Sequence, residues 1–278
     1  MGSSIGVSGV LRYARRGTQR ATATLRALPD FAIIGAAKAG TTSLFEYLSE
    51  HPMVVPADLK EVHFFDLQYD RGVGWYRSHF PLRAQLRGGR VTGEGSPYYL
   101  FHPESPKRMR AVTPNTRLIV LLREPVARTF SHYRHYVRNK QEDRTFEEAV
   151  AQELDELDLA LVHARARDDN KHVRHTHRRF SLLTRSLYAD QLERWFAEFP
   201  RRQVLVLKSE SLFADPVPAY RTVTDFLGLP PYDGVRFEVH NASPTPMPLS
   251  NEMRDRLTAL FAEPNRRLVE LLGPDFAW

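Results

Sequence analysis

The chain has 278 residues, 42% hydrophobic and 26% charged, enough apolar material for one large core and too little charge for wholesale disorder. It contains no cysteine, which excludes disulfides, thiolate metal sites and cysteine nucleophiles. The net charge of +6 rests mostly on arginine, a planar donor suited to phosphate and sulfate oxygens. No zinc-finger, RNA-recognition or helix-turn-helix signature accompanies it, so a small polyanion and not nucleic acid is the expected partner.

Residues 1–29 read as a basic N-terminal tail or helix, with an amphipathic basic stretch at 11–28 (LRYARRGTQRATATLRAL). This leader lacks the apolar core of a signal peptide, and no apolar run in the chain approaches the roughly 20 residues of a membrane span, so a cytoplasmic location is expected. The remainder, 30–278, shows no linker and is expected to form one domain. Its first element is a short apolar run, Phe31 to Ile34, which ends at Gly35 and has the length of a buried strand. Thr42 to Glu50 follows with helical spacing, placing Leu44, Phe45 and Leu48 on one face. Arg117 to Leu122 (RLIVLL) and Val204 to Leu207 are two further buried strands. Helical stripes run through Phe130, Tyr133 and Val137 from a start at Pro125, then from Phe146 to Leu157, and from Tyr188 to Phe199. Strands alternating with helices predict an α/β fold with a central parallel sheet flanked by helices and a ligand site at the carboxyl ends of the strands.

Two stretches interrupt the pattern. Between His163 and Arg179 the chain is basic and His-rich, and it is expected to be a solvated or substrate-facing loop. His172, His175 and His177 have neither cysteine nor carboxylate at helical spacing, so no metal site is expected. Prolines 244, 246 and 248 make Asn241 to Ser250 a second irregular segment.

The chemistry begins at Gly35 to Thr42, GAAKAGTT. A glycine-framed turn between a buried strand and a helix presents backbone N–H groups and a helix N-terminus to an anion. The loop nearly matches GxxxxGK[ST], but Thr41 stands where the nucleoside-triphosphatase lysine belongs and Lys38 lies inside the loop. That displacement disturbs the arrangement that serves ATP and magnesium, and it suits neutralisation of charge on a bridging oxygen without a metal. A second motif is LLREPVARTFSHY at 121–133, where Arg123 leaves a strand end and Ser131 follows eight residues later on the next helix, so that both can converge on one anion. For Arg123 by itself, pairing with Glu124 or another carboxylate is an equal alternative.

Together the two motifs resemble those of the sulfotransferases that use 3′-phosphoadenosine 5′-phosphosulfate (PAPS), in particular the heparan sulfate sulfotransferase-like and bacterial members. The likeness continues through EVHFFD at 61–66, GWY at 74–76, GEGSPYYL at 93–100, SLYADQLERWFAEFP at 186–200, DFLGL at 225–229 and EPNRRLVELLG near the C-terminus, and covers roughly residues 30–278. It implies a P-loop-like sulfotransferase domain that takes PAPS as co-substrate and needs no metal. The 5′-phosphosulfate would be held by Lys38, Ala39, Gly40, Thr41, Thr42 and Ser43, and the 3′-phosphate by Arg123 and Ser131. The resemblance makes Glu61 the catalytic base, with Lys38 offsetting charge on the departing nucleotide. Read from the residues alone, Glu61 beside Lys60 is more readily a surface ion pair than a base.

The chain departs from the heparan-type pattern at Gly95, where many relatives have a lysine that Lys60 could replace. It departs again at Asn241 to Pro248, which has no Lys or Arg. The expected reaction is in-line transfer of a sulfuryl group to a hydroxyl or amine of a carbohydrate, glycolipid or small metabolite. The HFF and PYY aromatics are candidates for stacking on sugar rings or for core packing. A P-loop kinase using ATP and magnesium and a non-catalytic nucleotide- or polyanion-binding protein are the alternatives.

Overall fold

Among the residues described by the computed structural model, 19–155, 181–238 and 248–278, four strands pair in parallel. They are β1 (Phe31–Gly35), β2 (Gly93–Glu94), β3 (Arg117–Leu122) and β4 (Val204–Lys208), in the order β2-β1-β3-β4. Ile33 lies opposite Ile119, and Val120 opposite Val206. Phe31 to Ile34 and Leu118 to Leu122 are wholly buried, as a parallel sheet covered on both faces requires.

The covering helices are α1 (Thr41–Ser49), α2 (Phe64–Leu67), α3 (Gly72–Arg77), α4 (Ser105–Val112), α5 (Pro125–Arg138), α6 (Phe146–Asp155), α7 (Tyr188–Glu198), α8 (Ser209–Ala214), α9 (Pro216–Leu227) and α10 (Asn251–Leu272). Helix α1 turns Leu44, Phe45 and Leu48 onto the sheet. Helix α5 starts abruptly because Pro125 has no N–H to leave unsatisfied and Glu124 accepts from the Val126 and Ala127 amides at 2.8 and 2.6 Å. In the same way Ser250 caps α10 by accepting from Met253 N at 3.2 Å. Trp195 of α7 is fully buried and donates from its indole to Leu100 O at 3.2 Å, tying that helix to the turn after β2. None of the described helices is long and apolar enough to cross a membrane.

The three predicted strands are present, two of them one residue longer than expected, and the first helix begins at Thr41 and not Thr42. Strand β2 was not foreseen, since two residues carry no periodicity. The described part of the N-terminal segment packs on the domain, with Ala27 N donating to Pro81 O at 3.0 Å and Arg26 Nη1 to Phe80 O at 2.6 Å. The His-rich stretch 163–179 and residues 241–247 lie outside the described residues.

At the end of β1 the chain runs against the turn that follows β2: Leu100 N donates to Ile34 O at 2.8 Å, and a Cβ at Gly35 would collide with the Leu100 side chain. Gly35→Ala is therefore expected to destabilise the fold by about 1–3 kcal/mol through overpacking, seen as a lower urea midpoint with an unchanged slope. An unchanged midpoint would show that Leu100 can move aside.

Candidate active site

All four strands deliver their carboxyl ends to one cleft of about 990 Å³. Lys38 and Gly40 follow β1, Pro97 and Tyr98 follow β2, Arg123 and Glu124 follow β3, and Ser209 and Glu210 follow β4. Of the residues singled out in the sequence, Lys38, Gly40, Thr41, Thr42, Glu61, Arg123 and Ser131 line it. Ala39 and Ser43 are fully buried and not part of the lining, so contact between them and an anion would run through backbone amides.

The loop closes on α1 through Gly40, whose φ of 90° is left-handed and natural only to glycine. Lys38 is also left-handed, at φ 75°. No side chain caps α1, which leaves the amides of its first turn as donors for an anion at the positive end of the helix. Beside them, the Lys38 ammonium is lowered to about 8, first by burial and then by the charges of Arg138, Arg123 and Arg128, with Glu61 acting in the opposite direction. A cleft that disfavours the cation in this way favours any anion that neutralises it.

Glu61 faces the loop across a short chain of contacts. Lys60 Nζ donates to Thr42 Oγ1 at 2.9 Å and to Glu61 Oε1 at 3.0 Å. On the other side His63 Nε2 stands 3.1 Å from Glu61 Oε2, while His63 Nδ1 stands 2.7 Å from Asp66 Oδ2. Both contacts are hydrogen bonds together only when the ring donates from both nitrogens. Burial raises the Glu61 carboxyl, but the bonds to His63 and Lys60 and their charges outweigh it and hold it down to about 2. The surface ion pair considered for Lys60 and Glu61 exists, but it lies at the cleft wall and extends to His63 and Asp66. His63 and Asp66 escaped the sequence reading, although both lie within EVHFFD three residues apart. Lys60 is bonded to the loop at Thr42, and its carbonyl accepts from Gly95 N at 2.8 Å.

The opposite wall is α5. Arg123 Nη1 donates to Lys38 O at 3.2 Å, and Glu124, the alternative partner, is occupied in capping the helix. Ser131, Arg134, His135 and Arg138 continue the wall. Behind them Arg128 is wholly buried. It donates to Ser186 Oγ at 2.6 Å, to Leu182 O, and to His132 Nδ1 at 3.3 Å, fastening α5 to the Thr184–Ser186 turn. Burial brings even this guanidinium down to about 10. The same turn carries Arg185 over the Tyr98 ring at 4.6 Å. Of the HFF and PYY residues, Phe64, Phe65 and Tyr99 are wholly buried and pack in the core, while His63, Pro97 and Tyr98 line the cleft.

No group of three or more metal-ligating side chains occurs among the described residues. What the cleft offers is backbone donors, a partly dehydrated lysine and an arginine wall, with an ionised carboxylate within its reach. Such a set can hold a transferable anionic group and accept a proton beside it.

A family model described as the sulfotransferase domain matches residues 28–247. The chain is 27% identical, over 91% of its length and 67% of the other, to the membrane-associated sulfotransferase kil1 of Dictyostelium discoideum. It is 35% identical, over 73% of its length, to the heparan sulfate glucosamine 3-O-sulfotransferase 3B1 of Homo sapiens, and covers 46% of that protein. It thus spans about half the length of that relative. The crystal structure of a sulfotransferase from Alicyclobacillus acidocaldarius is similar with a TM-score of 0.67 and 32% identity, covering 88% of this chain and 96% of that one.

Because Lys38 is cationic below about pH 8 and neutral above it, affinity for a dianion of constant charge falls as pH rises through that value. With inorganic sulfate between pH 7 and 9.5, thermal-shift titrations are expected to show a loss approaching about tenfold per pH unit above 8, and Lys38→Met a flat profile. Parallel profiles for the two proteins would separate the cleft's affinity from Lys38.

Proposed function

Since the chain belongs to the sulfotransferase-domain family, we propose that it transfers a sulfuryl group from PAPS to a hydroxyl or amine of a carbohydrate, glycolipid or small-metabolite acceptor. The observation that carries this reading is the single cleft in which the Lys38 loop, Arg123 and Ser131 of the second motif, and the Glu61 carboxylate come together. Lys38 and the α1 amides would hold the phosphosulfate end, and Arg123 with Ser131 the 3′-phosphate.

In the reaction the acceptor oxygen or nitrogen bonds to sulfur as the bond from sulfur to the bridging phosphate oxygen breaks. The acceptor proton goes to Glu61, and the electron pair leaves with 3′-phosphoadenosine 5′-phosphate, where Lys38 meets the growing negative charge. A carboxylate held down to about 2 is a feeble base toward a resting hydroxyl. It becomes adequate because bond formation to sulfur makes that proton strongly acidic, so its transfer comes late. His63, bonded between Glu61 and Asp66, fixes the direction of the carboxylate. Lys60 supplies at Thr42 the cation that Gly95 lacks. A glucosamine-containing saccharide is the first acceptor to test, on the strength of the relative named for that sugar.

In an acceptor screen with sulfur-labelled PAPS, Glu61→Gln is expected to lower turnover by about 10²–10⁴-fold with donor affinity nearly intact. Rates equal to the parent enzyme would remove Glu61 from the base role. Arg123→Ala is expected to weaken binding of 3′-phosphoadenosine 5′-phosphate by about tenfold or more, measured by calorimetry, since it deletes a charged hydrogen-bond donor. Unaltered binding would place the 3′-phosphate elsewhere.

A further inference from the structure

Three successive backbone amides next to Glu61 converge on one buried carboxylate. Val62 N donates to Glu94 Oε2 at 3.2 Å. His63 N donates to Ser96 Oγ at 3.0 Å, and that hydroxyl donates onward to Glu94 Oε2 at 2.6 Å. Phe64 N donates to the Tyr99 hydroxyl at 2.8 Å, which passes its own hydrogen to Glu94 Oε1 at 2.9 Å. Tyr76 OH completes the set at 2.7 Å from Glu94 Oε1. Glu94 ends strand β2, has no exposed surface and does not line the cleft. Four donors directed at its two oxygens match the acceptor capacity of an ionised carboxylate. Burying such a charge is costly unless it is bonded in this way, so its presence under the Glu61 segment calls for a structural reason.

The held segment supplies that reason. His63 has a φ of 54°, a left-handed conformation that residues other than glycine adopt only uncommonly, histidine more often than most. Its support comes from the amides on either side of its Cα, one fixed through Ser96 and the next through Tyr99. In this conformation the ring spans from Asp66 to Glu61.

We propose that Glu94 is a positioning residue for sulfuryl transfer: through Ser96 and Tyr99 it sets the backbone of residues 61–64 and so aims Glu61 and His63 at the cleft. This rests on the reading of Glu61 as base. Tyr76 gives an internal comparison, because it bonds the same carboxylate but none of the amides of the segment.

The test uses the full chain with Glu94→Gln, Ser96→Ala and Tyr76→Phe. It reads the ring nitrogen signals of His63 in histidine spectra, identified by their loss in His63→Gln, and turnover with the best acceptor of the labelled screen. Ser96→Ala and Glu94→Gln are expected to shift the His63 ring signals and lower kcat by about tenfold or more, with the Kd for 3′-phosphoadenosine 5′-phosphate within about twofold. Tyr76→Phe is expected to leave the signals in place and kcat within about threefold. If Glu94→Gln does not fold, Ser96→Ala and Tyr76→Phe decide the matter. Equal His63 shifts in those two, or none in Ser96→Ala, would overturn the proposal. Failure of the base assignment is separate: it shows as full turnover in Glu61→Gln, whatever the His63 spectra report.

Discussion

The cleft concentrates positive charge where water is already partly excluded. Lys38 is short of solvent and close to Arg138, Arg123 and Arg128, and it responds by holding its proton less firmly than a lysine in water. Repulsion of this kind is a cost that a bound anion would relieve. The sheet makes the accumulation possible, since the rigid ends of β1 and β3 fix the backbone on which the loop and Arg123 stand, and the Arg123 to Lys38 carbonyl contact links the two.

Two acidic groups near the charge cluster have different tasks because their surroundings differ. Glu61 sits at the cleft wall between Lys60 and His63 and stays ionised under nearly all conditions. Glu94 lies beneath it with no exposure. Burial raises its pKa, while bonds from Ser96, Tyr76, Tyr99 and the Val62 amide oppose that rise. The upper carboxylate faces the cleft, and the lower one is bonded to the chain that carries the upper. Both belong to a layer of hydrogen bonds between the Glu61 segment and the turn after β2, which also positions Tyr98 at the cleft.

Much of this was legible from residue order. Strands β1, β3 and β4 were readable because apolar runs of four to six residues cannot be buried helices of useful length. The GAAKAGTT loop was readable because glycine spacing and a strand-to-helix boundary are local properties. Strand β2 was not, since a pair of residues takes its strand character wholly from pairing with Phe31 and Ala32. Helix α10 was also missed as an element, because Pro264 lies inside it and local propensity there argues for a break that its buried face, Met253, Leu257, Phe261 and Leu268, overrides.

The sequence by itself determined the parallel α/β framework, the glycine-framed loop with its displaced lysine, and the strand-end motif that carries Arg123 and Ser131. These follow from short-range patterns that keep their meaning whatever the rest of the chain does. Only the tertiary structure decided that His63 and Asp66 buttress Glu61, that the aromatics of HFF belong to the core, and that Glu94 lies beneath the site. Each of these depends on which distant residues are packed together, and burial and hydrogen-bond saturation are properties of that packing and not of any one segment.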